Sequence, residues 1–279
     1  MKKRDVLNSP RLLELKKRRR RVVLNKILLS FFALALIFAG LVYISRISSL
    51  NIKSIEIVGN KVLDTESVKA AAEKELAGNY FWFFPKTNIL FYPKNILKNK
   101  LHNEFKRLKD INLSVKNTKI LEISVTERVA SYVWCGDIPP QPGSGDKTRC
   151  NFLDNFGYMF DEAAYFSGDV YFKFYGADLA KSNFEKLISF KKTLETMELK
   201  PTAIYLQNNG NIKIFLSTKN SGGIEPYIIF QTNSDFESVA ENLQVALSTE
   251  PLKSSFKNKY SSMEYIDLRF GNKVYYKFR

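Results

Sequence analysis

The chain has 279 residues, with 43 Lys and Arg, 28 Asp and Glu, one His and two Cys, for a formal net charge of +15. Residues 1–45 hold +9 of that charge, leaving +6 for the much longer remainder. A nucleic-acid-binding protein gathers basic residues on a folded surface; here the densest cluster abuts an apolar run, which argues against nucleic acid as a partner and for contact with anionic lipid.

Residues 1–21 are polar and basic, with Pro10 near the middle, and read as a largely disordered cytoplasmic tail. Leu12, Leu13 and Leu15 read as a helical extension of the anchor. That anchor, residues 22–46, is expected to be a transmembrane helix. Its central run, Ile27–Ser45, holds no charged residue. As a helix that run is roughly 28 Å long, against ~30 Å of bilayer hydrocarbon. Its Leu, Ile, Phe and Val residues, at roughly −0.3 to −0.6 kcal/mol each near the bilayer centre, outweigh Ser30, Gly40 and Tyr43. Lys16–Arg21 (KKRRRR) and Lys26 precede it, and only Arg46 lies close behind it. This asymmetry places the N-terminus in the cytoplasm and residues 46–279 outside, as a single-pass protein of the cell membrane. A cleaved signal peptide would have an apolar region of about 7–15 residues ending at a small-x-small site. Here the run is longer and leads into Leu41-Val42-Tyr43-Ile44, so an uncleaved anchor is expected.

Beyond the anchor, Ile55 and Ile57 alternate with Ser54 and Glu56 as in a half-buried strand. Gly59-Asn60 turns the chain. Asp64 or Thr65 caps a helix, Glu66–Leu76, with Val68, Ala71, Ala72 and Leu76 on one face. The aromatic stretch Asn79–Lys94 reads as a linker that tucks Phe81, Phe83 and Ile89 into the core. The density of Trp82, Phe84, Phe91 and Tyr92 argues for some exposure as well, and an exposed aromatic surface for the membrane or a partner is the alternative. Pro93 suits the first turn of a second helix, Pro93–Leu108, with Ile96, Leu97, Leu101 and Phe105 on its apolar face and His102 at the edge. Ile111, Leu113 and Val115 alternate, a turn intervenes, and Leu121, Ile123 and Val125 alternate again. Strand, helix, helix, strand, strand makes a compact unit whose antiparallel sheet carries both helices on one face.

IEIVGN, the helix pair and NTKILEISVTER resemble the POTRA domain of bacterial cell-division proteins of the FtsQ/DivIB type. The order of tail, anchor and POTRA domain resembles that family too, and implies a second, β-rich extracytoplasmic domain. The residues after 128 read that way. Ala130–Cys135, Asn151–Leu153, Tyr158–Phe160 and Val170–Tyr175 read as strands, with a turn at Asp154-Asn155-Phe156-Gly157. Ser182-Asn183-Phe184-Glu185 is a capping-box pattern that opens a helix ending before Pro201. Ala203–Leu206 and Ile212–Leu216 flank a turn at Asn208-Asn209-Gly210. Tyr227–Gln231 is a further strand, and Ser234-Asp235-Phe236-Glu237 repeats the capping pattern. Ile266, Leu268 and Phe270 alternate, Gly271-Asn272 turns, and Val274–Phe278 closes the chain. VTERVASYVWC…FLDNFGYMFDEA resembles the family's domain junction, and YIDLRFGNKVYYK its C-terminal signature. The Cys-bounded loop, the aromatic stretch at 80–92 and the end directly after the last strand depart from the family pattern. The expected architecture is α+β: tail 1–21, transmembrane helix 22–46, POTRA domain 50–128, and a β domain 129–279 with two helices packed on an antiparallel sheet.

Cys135 and Cys150 both fall outside the membrane, where a disulfide is permitted. The residues between them are rich in Pro, Gly and Ser. Closing that loop stabilises by roughly 3 kcal/mol on a chain-entropy model. A redox or metal pair is the alternative, but the spacing fits no metal pattern.

Catalytic signatures are missing from the sequence. One His excludes most His-based triads and metal sites unless His102 is itself the base. G-x-S-x-G, H-E-x-x-H and phosphate-loop patterns are absent. Asp154, Asp161, Glu162, Asp267 and Glu127 are candidate paired carboxylates in principle, but carboxylates at strand ends and turns are usually solvated or capping. Glu127-Arg128 reads as a structural ion pair or junction contact. No enzyme, cofactor, metal or small-molecule substrate is expected.

The resemblance implies a scaffold of the division septum that helps control septal peptidoglycan synthesis. Its implied partners are FtsB- and FtsL-type proteins, with links to FtsW and the transpeptidase FtsI. The physical route is the last strand, expected at or near a sheet edge whose unpaired backbone groups accept a partner's strand. Arg269, Phe270, Val274, Tyr275, Tyr276 and Phe278 are the candidate partner-binding residues, since aromatics and Arg anchor interfaces. Tyr275→Glu and Phe278→Glu are expected to leave the fold intact and abolish capture. The alternative is a membrane-tethered POTRA chaperone or secretion subunit that binds extended polypeptides.

Overall fold

The computed structural model describes residues 10–139, 149–166, 170–176, 181–217 and 225–279. Its first element, α1 (Pro10–Ser45), takes in both the basic run and the apolar run. Leu, Lys, Arg and Glu are good helix formers, and Pro10 suits a first turn. Residues 10–21 are therefore helical, which agrees with Leu12, Leu13 and Leu15 as a helical extension of the anchor and corrects the largely disordered tail expected from the polarity of the segment; residues 1–9 lie outside the described residues. The span Glu14–Ser45 is long and apolar enough to cross a membrane.

The chain divides into two compact units, Met1–Glu127 and Arg128–Arg279. After α1 the first unit contains β1 (Ser54–Val58), α2 (Thr65–Leu76), β2 (Asn79–Tyr80), β3 (Phe84–Pro85), α3 (Lys94–Glu104), β4 (Leu108–Lys116) and β5 (Ile120–Glu127). The sheet order is β1-β5-β4, with β5 antiparallel to β4 and parallel to β1. The sheet is thus mixed, not antiparallel. Two helices separate β1 from the β4–β5 hairpin, so the chain is free to lay β1 alongside β5 in the same direction. Val68, Ala72 and Leu76 of α2 and Leu97 and Leu101 of α3 pack with Leu113, Leu121 and Ile123 of the sheet. Each fully buried Leu or Ile is worth roughly 1.5–3 kcal/mol.

The ends of these helices are set by local chemistry. Asp64 is the N-cap of α2, its carboxylate accepting from Ser67 N–H at 2.9 Å. α3 stops at Glu104, short of the expected Leu108, because Leu108 is fully buried as the first residue of β4. The aromatic linker departs further from expectation. Ile89 does pack on the core, but Phe81 and Phe83 are exposed on the β2–β3 hairpin. Gly59 takes φ +94° directly after β1, where an added Cβ would stand 2.3 Å from the Val125 carbonyl oxygen.

The second unit contains β6 (Tyr132–Trp134), β7 (Asn151–Leu153), β8 (Met159–Glu162), β9 (Phe172–Gly176), α4 (Lys181–Thr196), β10 (Pro201–Leu206), β11 (Asn211–Leu216), β12 (Tyr227–Gln231), α5 (Phe236–Ser248), α6 (Leu252–Lys259), β13 (Met263–Phe270) and β14 (Lys273–Phe278). Among the described residues all its strands join one nine-stranded sheet, in the order β14-β13-β12-β11-β10-β9-β6-β7-β8. Again the expected antiparallel sheet is corrected to a mixed one: β9 and β10, β6 and β9, and β12 and β13 pair in parallel. Helical crossovers through α4, and through α5 and α6, return the chain to the same end of the sheet.

Phe184, Leu187 and Leu194 of α4 and Val239 and Leu243 of α5 cover Ile204, Ile212, Ile228, Phe230 and Ile266 on one face. A third helix, α6, was not expected, because LKSSFKNK offers little beyond Leu252 and Phe256 to mark an apolar face. The capping patterns also land slightly off. α4 begins at Lys181, so Ser182 lies inside the helix, and α5 is capped by Asp235, whose carboxylate accepts from Ser238 N–H. Cys135 and Cys150 form a disulfide. Most of the loop between them lies outside the described residues.

Candidate functional site

β14 is the terminal strand of the large sheet and pairs with β13 on one side; among the described residues no strand lies on the other. Arg279 N–H donates to the Ser262 carbonyl at 2.8 Å. In an antiparallel pair backbone groups alternate inward and outward. Tyr275 and Lys277 therefore share the inward direction of Arg279, and Val274, Tyr276 and Phe278 direct their backbone N–H and C=O outward.

The side chains of the six expected residues divide by face. Val274 and Phe278 are half-buried against the helix-covered core. Phe278→Glu would place a charge there, so we expect it to lower stability where the sequence suggested an intact fold. Tyr275 is half exposed and meets exposed Phe270 edge-on at 5.3 Å. Tyr276 touches Phe278 at 5.8 Å. Arg269 pairs with buried Asp267 in a fork, Nη2–Oδ2 2.6 Å and Nε–Oδ1 2.9 Å. That hydrogen bonding holds the guanidinium above its ordinary value.

The face opposite the helices adds residues that the sequence reading missed. Register aligns Phe215, Tyr227, Tyr265 and Lys277 in one row across β11 to β14, and Lys213, Ile229, Asp267 and Tyr275 in the next. Tyr227 and Tyr265 stack at 5.9 Å, and the Lys213 ammonium sits 4.3 Å from the Tyr227 ring centroid. Burial, with the nearby Arg269 charge, pushes the Lys213 ammonium below its usual value, and burial raises the Tyr227 phenol. Lys277 pairs with Glu264 at 2.7 Å, which raises the lysine. The available signal was the alternation in IKIFL, YIIFQ and EYIDLR: each core Ile implies a neighbour on the far face.

Asp154, Glu127 and Asp267 each have partners of their own, and Glu162 meets Arg149 at 3.8 Å. Asp154, almost fully buried, receives Arg128 Nη1 at 2.6 Å and the N–H groups of Phe156 and Tyr158 at 2.9 Å. The Arg128 guanidinium lies 3.8 Å from the Tyr158 ring centroid. Glu127 accepts from Lys61, Val62 and Leu63 N–H. Glu127-Arg128, read as a structural ion pair or a junction contact, thus engages separate partners with its two side chains. Asp267 and Asp161 stand on β13 and β8, near opposite ends of the sheet. At ~4.8 Å per strand that is roughly 33 Å along the sheet, against ~5–10 Å for a paired-carboxylate site. His102 lies in the last turn of α3.

This arrangement offers an open strand edge flanked by Tyr275 and Phe270, with a cation–aromatic face beside it. No protein-family model matches the chain, and a search of curated proteins finds no match.

Proposed function

We propose that this chain is a bitopic scaffold of the bacterial division septum, of the FtsQ/DivIB type, that captures other single-pass division proteins outside the membrane. The observation that carries the reading is the open edge of β14. Outward N–H and C=O groups on an edge strand accept an extended segment by strand addition, and Tyr275 and Phe270 supply side-chain selectivity beside it. The order β1-α2-α3-β4-β5 in the first unit, interrupted by the β2–β3 hairpin and with α2 and α3 on a three-stranded sheet, supports a POTRA domain. The length and apolarity of α1 support a membrane anchor, and the basic residues before it support a cytoplasmic N-terminus. FtsB- and FtsL-type proteins are the proposed direct partners, and FtsW- and FtsI-type proteins the indirect ones. The role is coordination of septal peptidoglycan synthesis without covalent chemistry, cofactor or nucleic acid.

A photo-crosslinking residue at Tyr275 in the full-length protein tests this in dividing cells. The expected adduct is a single-pass division protein, with a fluorescent fusion gathered at mid-cell. Tyr275→Glu should abolish capture while leaving the protein folded. Adducts with many unfolded exported chains, spread over the whole envelope, would instead select the chaperone reading. Unchanged capture by Tyr275→Glu would move the interface elsewhere.

A further inference from the structure

The β2–β3 hairpin packs back against the outer part of α1. Phe83 and Phe84 meet Phe38 edge-on, with ring centroids at 5.5 and 5.8 Å. Phe38 lies eight residues before Arg46, roughly 12 Å down the helix at 1.5 Å per residue. The hairpin therefore overlaps the length of α1 that would occupy the outer leaflet. Its turn runs from Tyr80 to Phe83, closed by Phe83 N–H donating to the Tyr80 carbonyl at 3.1 Å. The two central residues are Phe81, φ +46°, and Trp82, φ +70°. Such φ values favour Gly or Asn, and a bulky side chain there is strained. The strained turn holds out two of the largest side chains, 86% and 88% exposed. Water is a poor solvent for both.

The polar groups of the turn are handled as an apolar medium requires. The Arg46 guanidinium reaches down to donate to the carbonyls of Trp82 and Phe83, at 3.4 and 3.3 Å. Asn88, 1% exposed, and Asn51 both donate to the Ser45 carbonyl at the end of α1, at 2.9 and 3.0 Å. Below these bonds a groove of about 530 Å³ is shared between Leu41 and Ile44 of α1 and Tyr80, Phe81, Phe84 and Phe91 of the hairpin region. Whatever bathes Leu41 and Ile44 bathes Phe81 and Phe84 too.

From this we infer that the Tyr80–Pro85 hairpin is a second membrane contact, its Phe81 and Trp82 lodged at the headgroup–acyl boundary of the outer leaflet and its groove filled by lipid chains. Aromatic residues prefer that depth. Together with α1 the hairpin gives the first unit two footholds on the bilayer, which fixes its tilt as well as its height. The inference rests on the reading of α1 as a membrane anchor.

The test uses the full chain reconstituted in phosphatidylcholine vesicles. The difference in emission between the wild type and Trp82→Phe isolates Trp82 and leaves Trp134 undisturbed. The expected Trp82 spectrum is blue-shifted, protected from aqueous acrylamide, and quenched more by lipids brominated near the glycerol end of the acyl chain than near the methyl end. Red-shifted, acrylamide-quenched Trp82 in protein that floats with the vesicles would overturn the hairpin inference alone. Trp82 shielded from acrylamide yet untouched by brominated lipid would also overturn it, in favour of a protein occupant. Failure to float with the vesicles, or release by alkaline carbonate, would overturn the anchor and this inference with it.

Discussion

The Glu127 carboxylate closes the first unit by accepting from the backbone N–H groups of Lys61, Val62 and Leu63 at 2.6, 3.0 and 3.0 Å. Burial alone would raise its pKa, but the three donors and the Arg107 charge together outweigh burial and lower it. The folded state therefore holds this proton less tightly than the unfolded chain does. The stabilisation is complete above the unfolded Glu value of about 4.3 and is lost as pH falls through the lower folded value. Glu127→Gln should cost roughly 1.5–3 kcal/mol at neutral pH and flatten that acid slope; urea unfolding across a pH series reads both. Beside it, Gly59→Ala should cost at least about 2 kcal/mol, since its Cβ meets the Val125 carbonyl and its φ is +94°. The same denaturation curve measures that loss. The sequence marked Gly59 as a turn, but for Glu127-Arg128 it offered an ion pair or a junction contact and did not show the Lys61–Leu63 donors. Adjacent residues in an extended chain point to opposite sides, so neighbours in sequence rarely make each other's ion pair.

Among the elements, β14 offers a contrast that side-chain substitutions cannot. Tyr276 directs its N–H outward and Tyr275 directs its N–H to β13. Proline removes that donor and is tolerated on an edge strand where the N–H faces away from the ladder. Tyr276→Pro should therefore keep the thermal midpoint near that of the wild type and block strand addition. Tyr275→Pro should lower stability by roughly 1–3 kcal/mol by stranding a carbonyl of β13. Equal partner capture by wild type and Tyr276→Pro would reject strand addition even if Tyr275→Glu were inactive. Period-2 alternation made most strands legible, as in LEISV and IKIFL, and Asn209-Gly210 and Gly271-Asn272 marked their turns. Direction was not legible, because a strand's pattern is the same whether its neighbour runs parallel or antiparallel. Over Pro10–Arg21 only Leu12, Leu13 and Leu15 hinted at the helix, since the charge of the segment disfavours burial but not helicity.

At the scale of the whole molecule, two separate cores imply two separate responses to solution conditions. Leu97, Leu101, Leu121 and Ile123 anchor one core, and Phe174, Phe184, Phe230 and Ile266 the other. The sequence pointed to both because each apolar period resets at its own turns. It left the size of the second sheet open, since β6 to β8 become part of it only through the β6–β9 pairing. The Cys135–Cys150 disulfide lies in the second unit, with a sequence separation of 15. The Glu127 contacts lie in the first. In detergent, the full chain should unfold in two transitions. Reduction should remove roughly 3 kcal/mol from the second unit, a fall in Tm on the order of 6–12 °C for a unit of this size, and leave the first in place. Acid in the range that protonates Glu127 should move the first transition in the wild type and not in Glu127→Gln. A calorimetric trace in which reduction shifts both transitions together would mean that the two cores fold as one cooperative body, and the independent responses argued from their residues would be wrong.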